Sequence, residues 1–176
     1  LDIQVENEIL NIFPAECNGV VKDSISFADR IYNDARLLEK YDDSSKLTNY
    51  LKNSHKQYDL LRTLLWVNSI KTKERCNNSF STVVYIYKYD NKTNGESALQ
   101  NVFSKILYDL KQEEGNSIML IPIAADMNLH SLDMLMEKYN IKIIPSIILN
   151  ERVILTEVKT VKEIQDILSS IEKNKY

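Results

Sequence analysis

The sequence predicts an α/β domain of order βαβαββα preceded by an α-helical hairpin, and three observations carry that prediction. Ser81-Thr-Val-Val-Tyr-Ile-Tyr-Lys-Tyr89 is β-branched and aromatic, the composition of a buried strand. Two short apolar runs, Ser146 to Leu149 and Val153 to Leu155, follow Pro145 and are joined by Asn150-Glu151. Before residue 80 the apolar residues recur instead at spacings of three and four, which is the period of helices. A chain of 176 residues accommodates one domain of about 100 residues plus an extension. The change of pattern divides it into a helical region, 1–79, and a sheet domain, 80–176.

In the helical region, Ser24 is placed to cap a helix reaching about Tyr41, with Ala28, Ile31, Ala35 and Leu38 along one stripe. Asp42-Asp-Ser-Ser45 is a polar break. A long helix then runs from Lys46 to about Arg75, with Leu47, Leu51, Ser54, Tyr58, Leu61 and Leu65 on one side. Its last turn, Lys71-Thr-Lys-Glu-Arg75, is cationic and complements the helix dipole. The pair reads as an antiparallel hairpin, and its apolar stripe can pack internally or against a second chain.

In the sheet domain, Asn91 to Gly95 is turn chemistry after the first strand. From Glu96, Leu99, Val102, Phe103, Ile106, Leu107 and Leu110 fall at helical spacing, and Gly115 lies past the helix end. Ile118 to Ala124 is the second strand. A helix beginning near Leu129 carries Leu132, Leu135, Met136 and Tyr139, and the hairpin of 146–149 and 153–155 follows. Thr160, with Glu163 three residues on, caps a last helix bearing Ile164, Ile167, Leu168 and Ile171.

Tyr139-Asn-Ile-Lys-Ile-Ile-Pro-Ser-Ile-Ile-Leu-Asn-Glu-Arg-Val-Ile-Leu155 resembles the second half of the thioredoxin fold, and the resemblance extends over about residues 80 to 173. It implies a mixed four-stranded sheet flanked by helices, with a cis Ile144-Pro145 bond before the third strand. It also implies an edge position for the second strand, where Pro122 is tolerated. Active members of that family carry two cysteines at a strand-to-helix junction, where the helix N-terminus lowers the pKa of the reactive thiol. The corresponding stretch here, Asp90-Asn-Lys-Thr-Asn-Gly-Glu96, holds no sulfur. Thr93 reads as a hydroxyl without a partner, so disulfide exchange by the usual route has no group to carry it. The resemblance leaves the binding surface: Ile144 and Pro145, with Asp90, Asn91 and Thr93 of the facing loop, are candidates for a shallow groove that takes an extended peptide. The expected function is a non-enzymatic module that binds a protein or peptide. The helical hairpin then serves as spacer, partner surface or dimer interface, or simply packs on the sheet domain.

Cys17 precedes the first helix and Cys76 follows the second, so folding back at residues 42–45 brings both to one end. Arms of about 25 and 31 residues leave a mismatch of roughly 9 Å at 1.5 Å per residue, which the Asn18-Gly19 loop can absorb. A Cys17–Cys76 disulfide is geometrically reasonable, and two separate buried thiols are the alternative. The bond places the domain in an oxidising, extracytoplasmic compartment, whereas free thiols fit the cytoplasm. A redox couple formed by the same two cysteines is the alternative function. The sequons Asn77-Asn78-Ser79 and Asn91-Lys92-Thr93 make Asn77 and Asn91 candidate glycosylation sites. No signal peptide or membrane span is legible, and a start at Leu1 fits a processed product or an excised piece, with an N-terminal anchor outside it one reading.

A net charge of -3 and a pI near 5.5, with Lys and Arg scattered among acids, exclude the basic stripe that nucleic acid requires. Neither nucleic acid nor direct membrane contact is expected. The alternation Tyr85, Tyr87, Tyr89 is the face of a buried sheet, not a stacking platform for bases. His55 and His130 are the only histidines, and neither has a second ligand at metal spacing. With three glycines, Gly19, Gly95 and Gly115, there is no phosphate-cradling loop. No metal or cofactor is expected, and Asp126 reads as a helix-entry residue.

Overall fold

The computed structural model describes residues 17–39, 48–77, 80–90 and 92–173. The polar break at 42–45, Leu47, the side chains of Ala35 and Leu38, and Asn91 lie outside the described residues. The chain divides into two compact units, Leu1–Phe80 and Ser81–Tyr176.

In the first unit, α1 spans Cys17–Glu39 and α2 spans Thr48–Arg75. The two helices pack together, and Ile25, Ala28 and Ile31 of α1 and Leu51 and Leu65 of α2 are buried. Cys17 opens α1 and Cys76 lies just past α2, and the two are bonded with their Cα atoms 5.5 Å apart, so the hairpin is antiparallel. Ser24 is not a cap, because α1 already begins at Cys17 and takes in Asn18-Gly19 as helix, not loop. The buried side of α2 is also more polar than its apolar stripe implies. His55, Asp59, Arg62, Thr63, Ser69 and Lys73 are all buried, and Arg62 is ion-paired to Asp59 one turn away at 3.2 Å. Lys73, in the cationic last turn, is only 5% exposed.

The second unit runs β1 (Ser81–Tyr87), α3 (Asn94–Glu114), a short 3-10 turn, β2 (Ile118–Ala124), α4 (His130–Lys138), β3 (Ser146–Leu149), β4 (Val153–Leu155) and α5 (Val161–Lys173). The sheet order is β2-β1-β3-β4, with β2 parallel and β3 antiparallel to β1, and β4 antiparallel to β3. The β1 run is apolar on both faces because it is a central strand, and Val83, Val84 and Ile86 have no exposure. It ends at Tyr87, so Lys88 and Tyr89, expected in the strand, fall in the loop. Pro122 sits in β2, an edge strand, opposite Tyr85, where its missing N–H removes no ladder bond. The Ile144-Pro145 bond is cis.

Helix α3 covers one face through Phe103, Leu107 and Leu110, with the Phe103 ring edge-on to Tyr85 at 6.1 Å. It ends at Gly115, whose φ of 54° lies in the left-handed region that glycine enters without strain. Helix α5 buries Ile164, Leu168 and Ile171. It meets the end of α3 through Gln165, whose Nε2 donates to Glu113 and Glu114 at 3.0 and 2.8 Å.

Candidate functional site

Strand directions determine which loops meet. β1 and β2 are parallel and end at the same edge of the sheet; β3, antiparallel to β1, begins there, and β4 ends there. The segments 88–93, 125–129, 143–145 and 156–160 are therefore gathered at one end. The candidate residues Asp90, Thr93, Ile144 and Pro145 all belong to this end, while Asn91 lies outside the described residues.

In the loop after β1, side chains hold the main chain at Lys88, Tyr89, Asp90 and Thr93. Gln100, buried on α3, acts as a surrogate strand neighbour for Lys88: its Oε1 accepts from the Lys88 amide at 2.9 Å and its Nε2 donates to the Lys88 carbonyl at 3.1 Å. The Asp126 carboxylate, from the loop after β2, accepts from the next two amides. Its Oδ1 takes Tyr89 N and its Oδ2 takes Asp90 N, each at 2.7 Å. Lys88 Nζ donates to Glu96 Oε1 at 2.7 Å. Thr93 is the N-cap of α3, its Oγ1 accepting from Glu96 N at 3.2 Å while its own N–H donates to Glu96 Oε2 at 2.8 Å. The hydrogen bond from Lys88, followed by those from Thr93, pulls the Glu96 carboxyl down to about 2.

Two readings from the sequence are corrected by this arrangement. Thr93 is not a hydroxyl without a partner: it is half of a capping box, and α3 starts at Asn94 and not at Glu96. Asp126 is not a helix-entry residue, since α4 begins at His130 and the Asp126 side chain turns back to the β1 loop. Sequence reasoning missed Gln100 and its partner Lys88 and gave Asp126 the wrong role because these bonds span 12 to 37 positions.

At the same end of the sheet, Pro145 is buried, Ile144 is half-buried and Ile143 is 59% exposed. β3 enters the ladder only at Ser146, opposite Ile86, so the peptide groups of Ile144 stand outside the pairing of the sheet. The opposite end is tied by Asn150. Its backbone N donates to the Thr82 carbonyl, its Oδ1 accepts from Thr82 N and its Nδ2 donates to Ser81 Oγ, all at 2.9 Å.

The chain's 2 cysteines are joined to each other in the Leu1–Phe80 unit, which leaves no thiol at the N-terminus of α3. Asn77 is exposed, just past α2, while Asn78 and Ser79 of its sequon lie outside the described residues. His55 is buried and His130 is exposed at the start of α4. Among the described residues no group of three or more His, Cys, Asp or Glu side chains could hold a metal ion, and no helix is long and apolar enough to cross a membrane.

No family model matches the chain, and no curated protein matches it. Among solved structures the chain is similar to thioredoxin O2 from Arabidopsis thaliana in the oxidised state, at 14% identity over 60% of this chain and 86% of that one, with a TM-score of 0.39. The order β2-β1-β3-β4, the parallel β1–β2 pair joined through α3, the terminal antiparallel hairpin and the cis proline before β3 make residues 81–173 a thioredoxin-like α/β fold, in a chain whose single disulfide is Cys17–Cys76.

Proposed function

We propose that this chain is a non-catalytic, extracytoplasmic module that binds an extended protein segment at the loop end of its sheet. The observation that carries this reading is the end of the β3 ladder at Ser146. The main chain of Ile144 lies beyond it with a donor and an acceptor outside the sheet, beside the exposed Ile143. A peptide laid along it gains main-chain hydrogen bonds and an apolar contact, which is recognition by strand addition. Asp90 and Thr93 form the opposing wall. The absence of sulfur from 90–96 argues against thiol exchange there, and the disulfide supports residence in an oxidising compartment. In such a compartment Asn77 is the sequon asparagine with a described, exposed position.

Titrating the protein with reduced, alkylated insulin B chain, an unfolded polypeptide with no thiol, tests the reading. Amide shifts confined to residues 88–93 and 143–146 are expected, and unchanged spectra at saturating probe would remove it. A second reading, a redox couple, draws support from the bond between the two half-buried cysteines. It requires turnover in reduction of intact insulin that is lost in Cys76→Ser, whereas a binding module gives none.

A further inference from the structure

We infer that Asp126 is the positioning residue of the candidate groove: its carboxylate holds the wall opposite Ile144 in place. This rests on the peptide-binding reading above for its purpose, though not for its geometry. Among the described residues, the wall is fastened from β1 and α3 on either side and, from the loop after β2, by Asp126. Gln100 fixes Lys88, and the Thr93–Glu96 box fixes the first turn of α3. Between those points lie Tyr89 and Asp90, beyond the last residue of β1 and before the cap. Their two amides go to the two oxygens of one side chain, each at 2.7 Å, across 37 and 36 positions of sequence.

The chemistry suits a clasp. A carboxylate can accept two adjacent main-chain N–H groups at once, and charge-assisted bonds of this length are roughly twice as strong as neutral ones. The hold is also local. β2 and β1 are already paired from Ser81↔Ile118 to Tyr87↔Ala124, and Ala125 N donates to the Tyr87 carbonyl at 2.8 Å, so the sheet is complete without Asp126. What the carboxylate adds is the placement of Tyr89 and Asp90. Because it accepts both amides, the wall meets a partner with side chains, and main-chain pairing is left to the Ile144 side.

The test combines amide hydrogen exchange with binding of reduced, alkylated insulin B chain, measured on the intact chain and on Asp126→Ala, Asp126→Asn and Asp126→Glu. In Asp126→Ala, exchange at Tyr89 and Asp90 is expected to quicken on the order of tenfold to a hundredfold, while β1 and β2 amides keep their protection. Probe affinity is expected to fall about tenfold, on the loss of an ordered wall. Asp126→Asn, whose single side-chain oxygen accepts in place of two, should fall between. Asp126→Glu should recover affinity only insofar as it restores protection. Unchanged exchange at both amides in Asp126→Ala would overturn the inference, as would faster exchange with unchanged affinity. If the intact chain fails to bind the probe, the proposed function fails, and the exchange result alone decides whether Asp126 positions the loop.

Discussion

Asn150 shows how one side chain can complete a sheet. It is the first of the three residues, 150–152, between β3 and β4, with φ of 48°, and Glu151 follows at 58°, a left-handed pair at the centre of the turn closed by Arg152 N donating to Leu149 O. From there its side chain accepts from Thr82 N and donates to Ser81 Oγ, extending the β1–β3 pairing past the last strand residue. Asn150→Gly keeps the backbone conformation and loses two hydrogen bonds, an expected loss of about 1–3 kcal/mol, while Asn150→Ala adds the left-handed penalty of about 1–2 kcal/mol. Urea unfolding of the two variants separates these contributions, and equal stabilities would show that the backbone contribution is absent. The turn itself was legible, since Asn between two apolar runs marks it. The reach of Asn150 to Ser81 and Thr82 was not, because nothing local announces a bond across 68 or 69 positions.

Among the elements, α3 and α5 form an instructive pair. Thr160-Val-Lys-Glu163 and Thr93-Asn-Gly-Glu96 have the same spacing, and both are capping boxes: Thr160 N donates to Glu163 at 2.8 Å and Glu163 N donates back to Thr160 Oγ1 at 3.2 Å. Only the box of α5 was read from sequence; in α3, Asn94-Gly95 looked like turn residues and Thr93 was weighed only as a nucleophile. The long α2 was legible as a helix, but its packed side was not, because His55, Asp59, Arg62 and Lys73 count as surface residues in any apolar pattern. The box of α3 gives a pH prediction. The Glu96 carboxyl titrates at about 2 in the fold against 4.5 ordinarily, so its stabilisation is complete above about 4.5 and is lost as pH falls through about 2. Glu163 is shifted in the same direction by its own cap. Carbon-detected titration of Glu96 should therefore show a depressed midpoint that moves upward in Lys88→Met, because the Lys88 hydrogen bond is its first cause. A midpoint unmoved by that substitution would assign the whole effect to Thr93.

At the scale of the molecule, the chain joins two compact units that are stabilised differently. Ser81–Tyr176 has a sheet whose central strand is buried on both faces. Leu1–Phe80 contributes two packed helices with a partly polar buried side and a covalent tie across their open end. The placement of the cysteines was legible because hairpin geometry brings residues before one arm and after the other together. The tie closes a loop with a sequence separation of 59, worth about 4 kcal/mol in the chain-entropy model. Cys17→Ser with Cys76→Ser should therefore strip amide protection from α1 and α2 by an amount approaching that figure, while β1–β3 amides, whose stability comes from their own core, stay protected. Residue-resolved exchange on the intact and double-substituted chains gives both numbers in one experiment. Equal loss in the two units would mean that they unfold as one, and no loss in either would mean that the helices stand without their disulfide. Loss confined to α1 and α2 would instead identify the bond as a structural staple of the hairpin, on which the sheet unit does not depend for its stability.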